Sequence, residues 1–433
     1  MLRFLAVLFT GVIVSFYYFP FEFSFLPGLN TKMGLAVVGI LACFRQFMSK
    51  RSVAIPSSIL NLIVFAGLVS IIGVVSVTYN NTPDYAYATY IVSMLVWLSA
   101  AFAVCSLIHK VHGKLTVELI VQYIVVVCIV QCFLAIIIDA NAALKLVVDR
   151  YIIQGQDYLN EVDRIYGIGA NLDVAGTRFA AALIMIVFLL NKNKADISNA
   201  QVYFYLFAFV IIGVIGNMIA RTTSVGIVIG LAYLIFIFKP FELKVRQSSF
   251  RVIGYAVLAI LMAVPVFVYL YHNNEQIHSL LRFAFEGFFN LAETGEYSVA
   301  STEKLATMYV FPESMKTWII GDGYFSNPRN TDPYFIGRLT GGYYMGTDVG
   351  YLRFIFYFGV IGLLAFSNFM VYASKACAQL LTEYKWMFVL LLCAGFIIWF
   401  KVSTDIFLVF ALFLCVGNMQ EMDRMPEPTD LES

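Results

Sequence analysis

The sequence predicts an all-α, polytopic membrane protein of about 12 transmembrane helices with two long extracytoplasmic loops that carry short helices. Three observations lead there. Hydrophobic residues make up 61% of the 433 residues and charged ones only 13%, with a mean hydropathy of +0.83, far outside the soluble globular range. The apolar residues gather in runs long enough to span a hydrocarbon core about 30 Å thick, which takes roughly 20 residues of helix. The charged residues fall between the runs, with the basic ones concentrated on alternate connections.

Taken in order, the runs cover approximately residues 2 to 19, 32 to 48, 57 to 78, 87 to 108, 117 to 139, 177 to 191, 202 to 219, 224 to 239, 252 to 271, 347 to 373, 386 to 401 and 402 to 417. They read as a single integral membrane domain over 1–433. The first run lacks a small-residue cleavage site, so it reads as the first span and not as a signal peptide. An even number of spans puts both termini on one side. Arg3, Arg45, Lys50, Arg51, Lys110, Lys114, Lys192, Lys194, Lys239, Lys244, Arg246, Arg251, Lys375, Lys385 and Arg424 fall on that side, which marks it as cytoplasmic, with 418–433 a cytoplasmic tail. Lys401 and Asp405 sit where the last two spans should turn; on a continuous helix they would instead pair at a spacing of four. No internal repeat is visible, nor the inverted halves with broken helices of many secondary transporters.

The net charge of +1 gives no reason to expect a nucleic-acid partner. Seven cysteines form no CxxC or Cys/His cluster, which argues for small packing residues and against disulfides or a zinc site. His109, His112, His272 and His278 have no metal-ligand spacing, so no metal is expected. No phosphate-binding GxxxxGK[ST] pattern supports a nucleotide-driven machine, and no cofactor is expected.

The two long outer segments, 140 to 176 and 272 to 346, are where a function facing outward would lie. The first contains DRYIIQGQDYLNEVDRIYGIGANLDVAG and ends at Arg178, where the sixth span is expected to open. The second contains SLLRFAFEGFFNLA, an amphipathic stretch expected to lie along the interface with Phe283, Phe285, Phe288 and Phe289 toward the acyl chains. SVASTEKLATMYVF follows as an expected helix ended by Pro312. GDGYFSNPRNTDPYFIGRLTGGYYMGTDVGYLRFIFYFGVIG then passes without a break into the tenth span.

That last stretch sets Asp322, Arg329, Asp332, Arg338, Asp348 and Arg353 among Tyr324, Tyr334, Tyr343, Tyr344 and Tyr351, a mixture suited to sugars and phosphates. Arg178 at a span start, Arg221 in the turn IARTTSVG and Arg353 inside the tenth span are costly near hydrocarbon unless each meets a cavity or a partner. Together they point to a shared anion site, since guanidinium forks bind phosphate oxygens in a bidentate way. Contact with lipid phosphates or with carboxylate partners is the structural alternative. Asp348 and Asp322 could serve as general base toward a sugar hydroxyl or as ion-pair partners of the arginines. Tyrosines also suit a membrane edge whatever the function.

Three stretches, RIYGIGANLDVAGTRFAAAL (164 to 183), ARTTSVGIVIGL (220 to 231) and GDGYF followed by TDVGYLRFIFYFGVIGLL (321 to 364), resemble the bacterial Wzy-type polymerases of O-antigen and capsular repeat units. These belong to a superfamily shared with the O-antigen ligases. The positions that carry the resemblance are Arg164, Gly167, Asn171, Arg221, Thr222, Asp348, Gly359 and Gly362. The ligases begin the third stretch with a histidine where this chain has Asp348, which favours the polymerase.

The resemblance implies a GT-C-like, metal-independent glycosyltransferase of the bacterial inner membrane. Its donor would be a glycan on undecaprenyl pyrophosphate, its acceptor a second lipid-linked repeat unit, and a chain-length regulator and a flippase candidate partners beside the membrane lipids. Asp348, Arg221 and Arg178 would be catalytic, and Arg164, Arg353, Tyr351, Asp322, Tyr324, Asn171, Thr222 and Arg338 would hold substrate. The competing readings are a ligase or other lipid-linked glycan transferase, and a flippase or transporter of lipid-linked oligosaccharide.

Overall fold

The computed structural model describes residues 2–49, 56–155, 158, 159, 164–192, 198–238, 254, 261, 265, 266, 268–337 and 339–424. The helices are α1 (Leu2–Tyr18), α2 (Thr31–Ser49), α3 (Ser57–Asn80), α4 (Tyr90–His112), α5 (Val117–Ala140), α6 (Ala142–Tyr151), α7 (Leu172–Lys192), α8 (Asn199–Ile219) and α9 (Thr223–Phe238). Then follow α10 (Glu275–Ala284), α11 (Glu286–Thr294), α12 (Ala300–Ala306), α13 (Met315–Ile319), α14 (Pro328–Thr331), α15 (Gly350–Leu380), α16 (Lys385–Ile398) and α17 (Phe407–Arg424). The strand content among the described residues is one two-residue antiparallel pair, β1 (Glu22–Phe23) with β2 (Ile152–Ile153).

The chain is a multi-pass membrane protein of the all-helical kind. Among the described residues, α3, α4, α5, α7, α8 and α15 are long and apolar enough to cross a membrane. Shorter apolar helices stand at Leu2–Tyr18, Thr223–Leu234 and Phe407–Gln420. A helix stands at every expected run except the one near 252 to 271, which lies largely outside the described residues. Lys50, Arg51, Lys194, Lys239, Lys244, Arg246, Arg251, the expected site residue Arg338 and residues 425–433 of the expected tail also lie outside them.

Contacts divide the chain into two compact units, one of residues 1–10, 32–117 and 304–433 and one of residues 11–31 and 118–303. In the first, α15 packs on α3, α13, α16 and α17, and α4 packs on α3 and α17. In the second, α7 packs between α8 and α9, and α10 lies on α8. The α7–α9 contact depends on small residues: a Cβ on Gly226 would stand 2.4 Å from the Cα of Ala180, so the two backbones touch. A capping box of Ser198 and Gln201 starts α8, and the Asn274 side chain accepts from Ile277 N–H to start α10.

Several boundaries differ from the sequence expectation. Helix α7 opens at Leu172, with Asp173 in its first turn, so Arg178 lies well inside the helix instead of opening it. Residues 401–406 are not helical, so the chain turns there and Lys401 and Asp405 do not lie on one continuous helix; the Asp405 carboxylate accepts from the Phe407 N–H and from the Tyr90 hydroxyl. The amphipathic stretch bends at Phe285 into α10 and α11, and the helix before Pro312 ends at Ala306, short of the proline.

The largest difference is in the tenth span. Helix α15 is broken at Phe358 (φ −140°, ψ 21°) and Gly359 (φ 69°, ψ −176°), although no broken helix was legible in the sequence. A break leaves carbonyls of the preceding turn without helical partners, and in hydrocarbon they must be met from elsewhere. Asp322 N–H donates to the Phe356 carbonyl at 2.6 Å and Gly323 N–H to the Tyr357 carbonyl at 3.1 Å, while the Ser76 hydroxyl reaches the Tyr357 carbonyl at 2.6 Å.

Candidate functional site

The loop that meets the broken span is the GDG stretch singled out in the sequence. Gly321 takes φ 86°, and a Cβ there would stand 2.5 Å from the Tyr357 carbonyl carbon; only glycine lets the loop lie this close. The loop is pinned by a charged network. Lys316 Nζ donates to Asp322 Oδ1 at 2.7 Å, to Asn80 Oδ1 at 2.6 Å and to the Gly321 carbonyl at 3.1 Å. The Thr317 hydroxyl also donates to Asp322 Oδ1, and the Tyr344 hydroxyl to Oδ2 at 3.3 Å.

Beside this network the aromatic residues form a cluster. Tyr324 donates its hydroxyl to Asp332 at 2.5 Å, and its ring lies 5.2 Å from Tyr344 and 5.3 Å from Phe335. Burial first, then the neighbouring carboxylates, pushes the Tyr324 and Tyr344 phenols above their ordinary range, so both stay neutral hydrogen-bonding groups.

Arg353, in the first turn of α15, is 4% exposed. Its guanidinium carbon lies 3.3 Å from the Tyr343 ring centroid and 3.8 Å from that of Phe325. Its donors reach the Ser403 hydroxyl at 2.6 Å and the Phe325 carbonyl at 3.0 Å, both neutral acceptors. Asp348, half-buried at the entry to the same helix, is near enough to act on this charge. Tyr351 does not face the cluster: its hydroxyl donates to the Phe396 carbonyl and its ring packs on Trp399 and Phe400.

The second compact unit brings two of the expected arginines to one ring. Arg164 and Arg221 lie with their guanidinium carbons 3.5 Å and 3.9 Å from the centroid of Phe283. Phe283 therefore carries cations instead of facing acyl chains. Arg221 donates from Nε to the Phe283 carbonyl at 2.9 Å and from Nη1 to the Ser301 hydroxyl at 2.8 Å, and pairs through Nη2 with Glu286 at 2.5 Å. It thereby meets the C-terminal carbonyl end of α10 and the first turn of α11 together. Desolvation, followed by the charge of Arg221, lowers the Arg164 pKa; desolvation lowers that of Arg221 against the opposing pull of Glu286.

Thr222 donates to the Asp173 carboxylate, and the Asn171 side chain donates to the Gln154 carbonyl. Arg178 is 7% exposed in α7, with its guanidinium 5.7 Å from the Phe19 ring and its carbonyl accepting from the Tyr18 hydroxyl. These neighbours are distinct from the Phe283 pair.

No family model matches the chain, and no curated protein matches it. Sequence reasoning missed Asp84, which is 5% exposed and accepts from the N–H groups of Phe325, Ser326 and Ala86. It also missed Lys316 and Asn80. Asp84 lies in a short connection of ordinary turn composition, and nothing in its immediate sequence announces a partner 241 residues away. Among the described residues no cluster of three His, Cys, Asp or Glu side chains could hold a metal.

Proposed function

We propose that this protein joins oligosaccharide repeat units carried on undecaprenyl pyrophosphate, at the outer face of a bacterial inner membrane, with both of its termini in the cytoplasm. The observation that supports the reading best is the pair of guanidiniums on Phe283. Two like charges drawn together and partly desolvated are unfavourable unless anions offset them. Asp173 and Glu286 each bring a negative charge near the pair, and a lipid pyrophosphate would bring bidentate acceptors for the guanidinium forks.

In this mechanism an acceptor sugar hydroxyl attacks the anomeric carbon of the donor glycan. The new glycosidic C–O bond forms as the bond from that carbon to the pyrophosphate oxygen breaks, and lipid pyrophosphate departs with the electron pair. Arg164 and Arg221 stabilise the charge that builds on it. The resemblance implies Asp348 as the base for the acceptor hydroxyl, with Arg353 near enough for its charge to act. The tyrosines of the 324–344 cluster offer ring faces and hydroxyls to the sugars.

The test is the surface glycan of the host. A deletion strain should show single repeat units where a ladder stood, and wild type should restore the ladder. Asp348→Ala and Arg164→Ala, expressed normally, should not. A ladder accumulated on its lipid carrier would make the protein a ligase. The broken span α15 favours a second reading, a transporter with a discontinuous helix at its substrate path. Lipid-linked units that pile up on the inner face after deletion would decide for it.

A further inference from the structure

The segment from Tyr309 to Gly323 runs back alongside α15 instead of staying clear of the spans. Contacts at successive levels of that helix fix its course. The Tyr309 hydroxyl donates to the Phe400 carbonyl at 2.9 Å, next to Trp399, whose carbonyl accepts from the Tyr351 N–H in the first turn of α15. Val310 packs on Val349, Leu352 and Phe356. Helix α13 follows, and a Cβ on Gly359 would collide with the Ile319 carbonyl, so this end of α13 lies at the break. The chain then returns through Asp322 and Gly323, whose N–H groups meet the Phe356 and Tyr357 carbonyls. Between Gly350 and Gly359 a helix rises about 13 Å, which is the descent of the segment.

Helix α3 sets that descent against the hydrocarbon. It runs antiparallel to α15: Asn61 donates to the Tyr372 hydroxyl at 2.9 Å, and the Ser76 hydroxyl to the Tyr357 carbonyl at 2.6 Å. Gly359 is therefore level with Val74, inside the apolar run of α3 and about 9 Å from its Asn80 end. Met315 and Ile319, one turn apart on α13, are 72% and 45% exposed. At the level of Ile319, the exposed side chains of the two spanning helices are Val74 and Val75 of α3 and Ile361 of α15.

Backbone at such a depth has to be satisfied within the protein. The N–H groups of Ile320 and Gly321 close the last turn of α13 onto the Lys316 and Thr317 carbonyls. The Gly321 carbonyl accepts from Asn80 and Lys316, and the Trp318 indole donates to the Pro312 carbonyl. The Lys316 ammonium is neutralised by Asp322.

We propose that residues 309–323 form a re-entrant segment that dips into the leaflet at the Asn80 end of α3, turns at the break in α15, and presents Met315 and Ile319 to lipid acyl chains. The glycine at 359 admits the turn, and the GDG loop is the returning limb. Water against Met315 and Ile319 would forgo the burial of apolar surface, whereas acyl chains supply it and continue the band that already covers Val74 and Ile361. The depth is set by α15 and α3 and is independent of the reaction.

The experiment uses the full chain in lipid nanodiscs, with the exposed Cys43 and Cys393 changed to alanine. Nitroxide labels on Met315→Cys and Ile319→Cys, one at a time, are read by their collisions with oxygen and with a polar nickel complex. Ile361→Cys is the lipid reference. Gly341→Cys, at an exposed position where a Cβ meets nothing within 4 Å, is the water reference. Both labels should match Ile361→Cys, with a ratio of oxygen to nickel collisions about tenfold above that of Gly341→Cys, the equivalent of about 1.4 kcal/mol for taking the complex out of water.

A ratio matching Gly341→Cys would put the segment in water, and few collisions with either reagent would put it under a second copy or a partner chain; each overturns the proposal. If one label unfolds the chain, the other decides. Glycan does not enter the readout, so a ladder that survives gene deletion removes the polymerase and leaves the re-entrant segment standing.

Discussion

Gly359→Ala tests whether the break in α15 is built into the fold. At φ 69° and ψ −176° the residue occupies a region reached almost only by glycine, and a side chain there costs about 1–3 kcal/mol. The added Cβ would also stand 2.0 Å from the Ile319 carbonyl oxygen and 2.3 Å from its carbon, both backbone, so α13 has to move. That movement loosens the contacts of Asp322 N–H and Gly323 N–H with the Phe356 and Tyr357 carbonyls. Each such bond contributes about 0.5–1.5 kcal/mol, with a larger penalty when a buried carbonyl is left unmet. The expected loss is therefore about 3–5 kcal/mol of unfolding free energy.

The assay is denaturant unfolding of detergent-purified protein, with Gly341→Ala as the reference. A Cβ at Gly341 meets nothing within 4 Å, and substitution there should stay within about 0.5 kcal/mol of wild type. If Gly359→Ala unfolds within about 0.5 kcal/mol of that reference, the break is not held by the GDG loop and the account of α15 is wrong.

Lys316→Met should cost about 1–3 kcal/mol in the same assay, because it leaves acceptors of Asp322, Asn80 and Gly321 without their shared donor. Adding Asp322→Asn should then cost less than it does alone, a non-additivity that a double-mutant cycle measures. Arg353→Lys should lose about 2–4 kcal/mol despite keeping the charge, since an ammonium cannot stack between Phe325 and Tyr343 while reaching Ser403. Equal stability of the lysine variant would refute the stacked role. Arg221→Ala should lower both melting temperature and glycan ladder, whereas Arg164→Ala should lower the ladder with melting shifted by less than about 2 °C. Identical losses of stability in the two would contradict this division.

The helices were legible because their signal is length and apolarity, which packing does not overrule. What the sequence hid depends on partners distant in the chain. The break at Gly359 is invisible inside FYFGVIG, since glycine is common in spanning helices and the loop that stabilises the break lies 36 to 38 residues earlier. The GDG stretch lies close against its own helix, a contact that only the fold brings about. Arg178 was placed at a span start because the apolar run begins after it; Asp173 in the first turn of α7 moves that start back to Leu172. Phe283 fits an amphipathic pattern in its own segment, and its assignment changes only when Arg164 and Arg221 are placed against it.

The two arginines on Phe283 have different duties even if they share an anion. Every nitrogen of the Arg221 fork has a protein partner, and those partners lie on α10, α11 and α12, so the residue holds the bend between α10 and α11. Arg164 stacks on the same ring with the Asp173 carboxylate near enough to act on its charge, and it does not tie α10, α11 and α12 together as Arg221 does. Glu286 separates these duties experimentally. Glu286→Gln keeps a hydrogen-bond acceptor for Arg221 but removes one of the two carboxylate charges, Asp173 being the other, that offset the pair, so the bend should stay folded while inorganic pyrophosphate binds more tightly. Weaker pyrophosphate binding in that variant would mean that Glu286 orders the site more than it neutralises it, and the arginine pair would then be a structural joint and not an anion receptor.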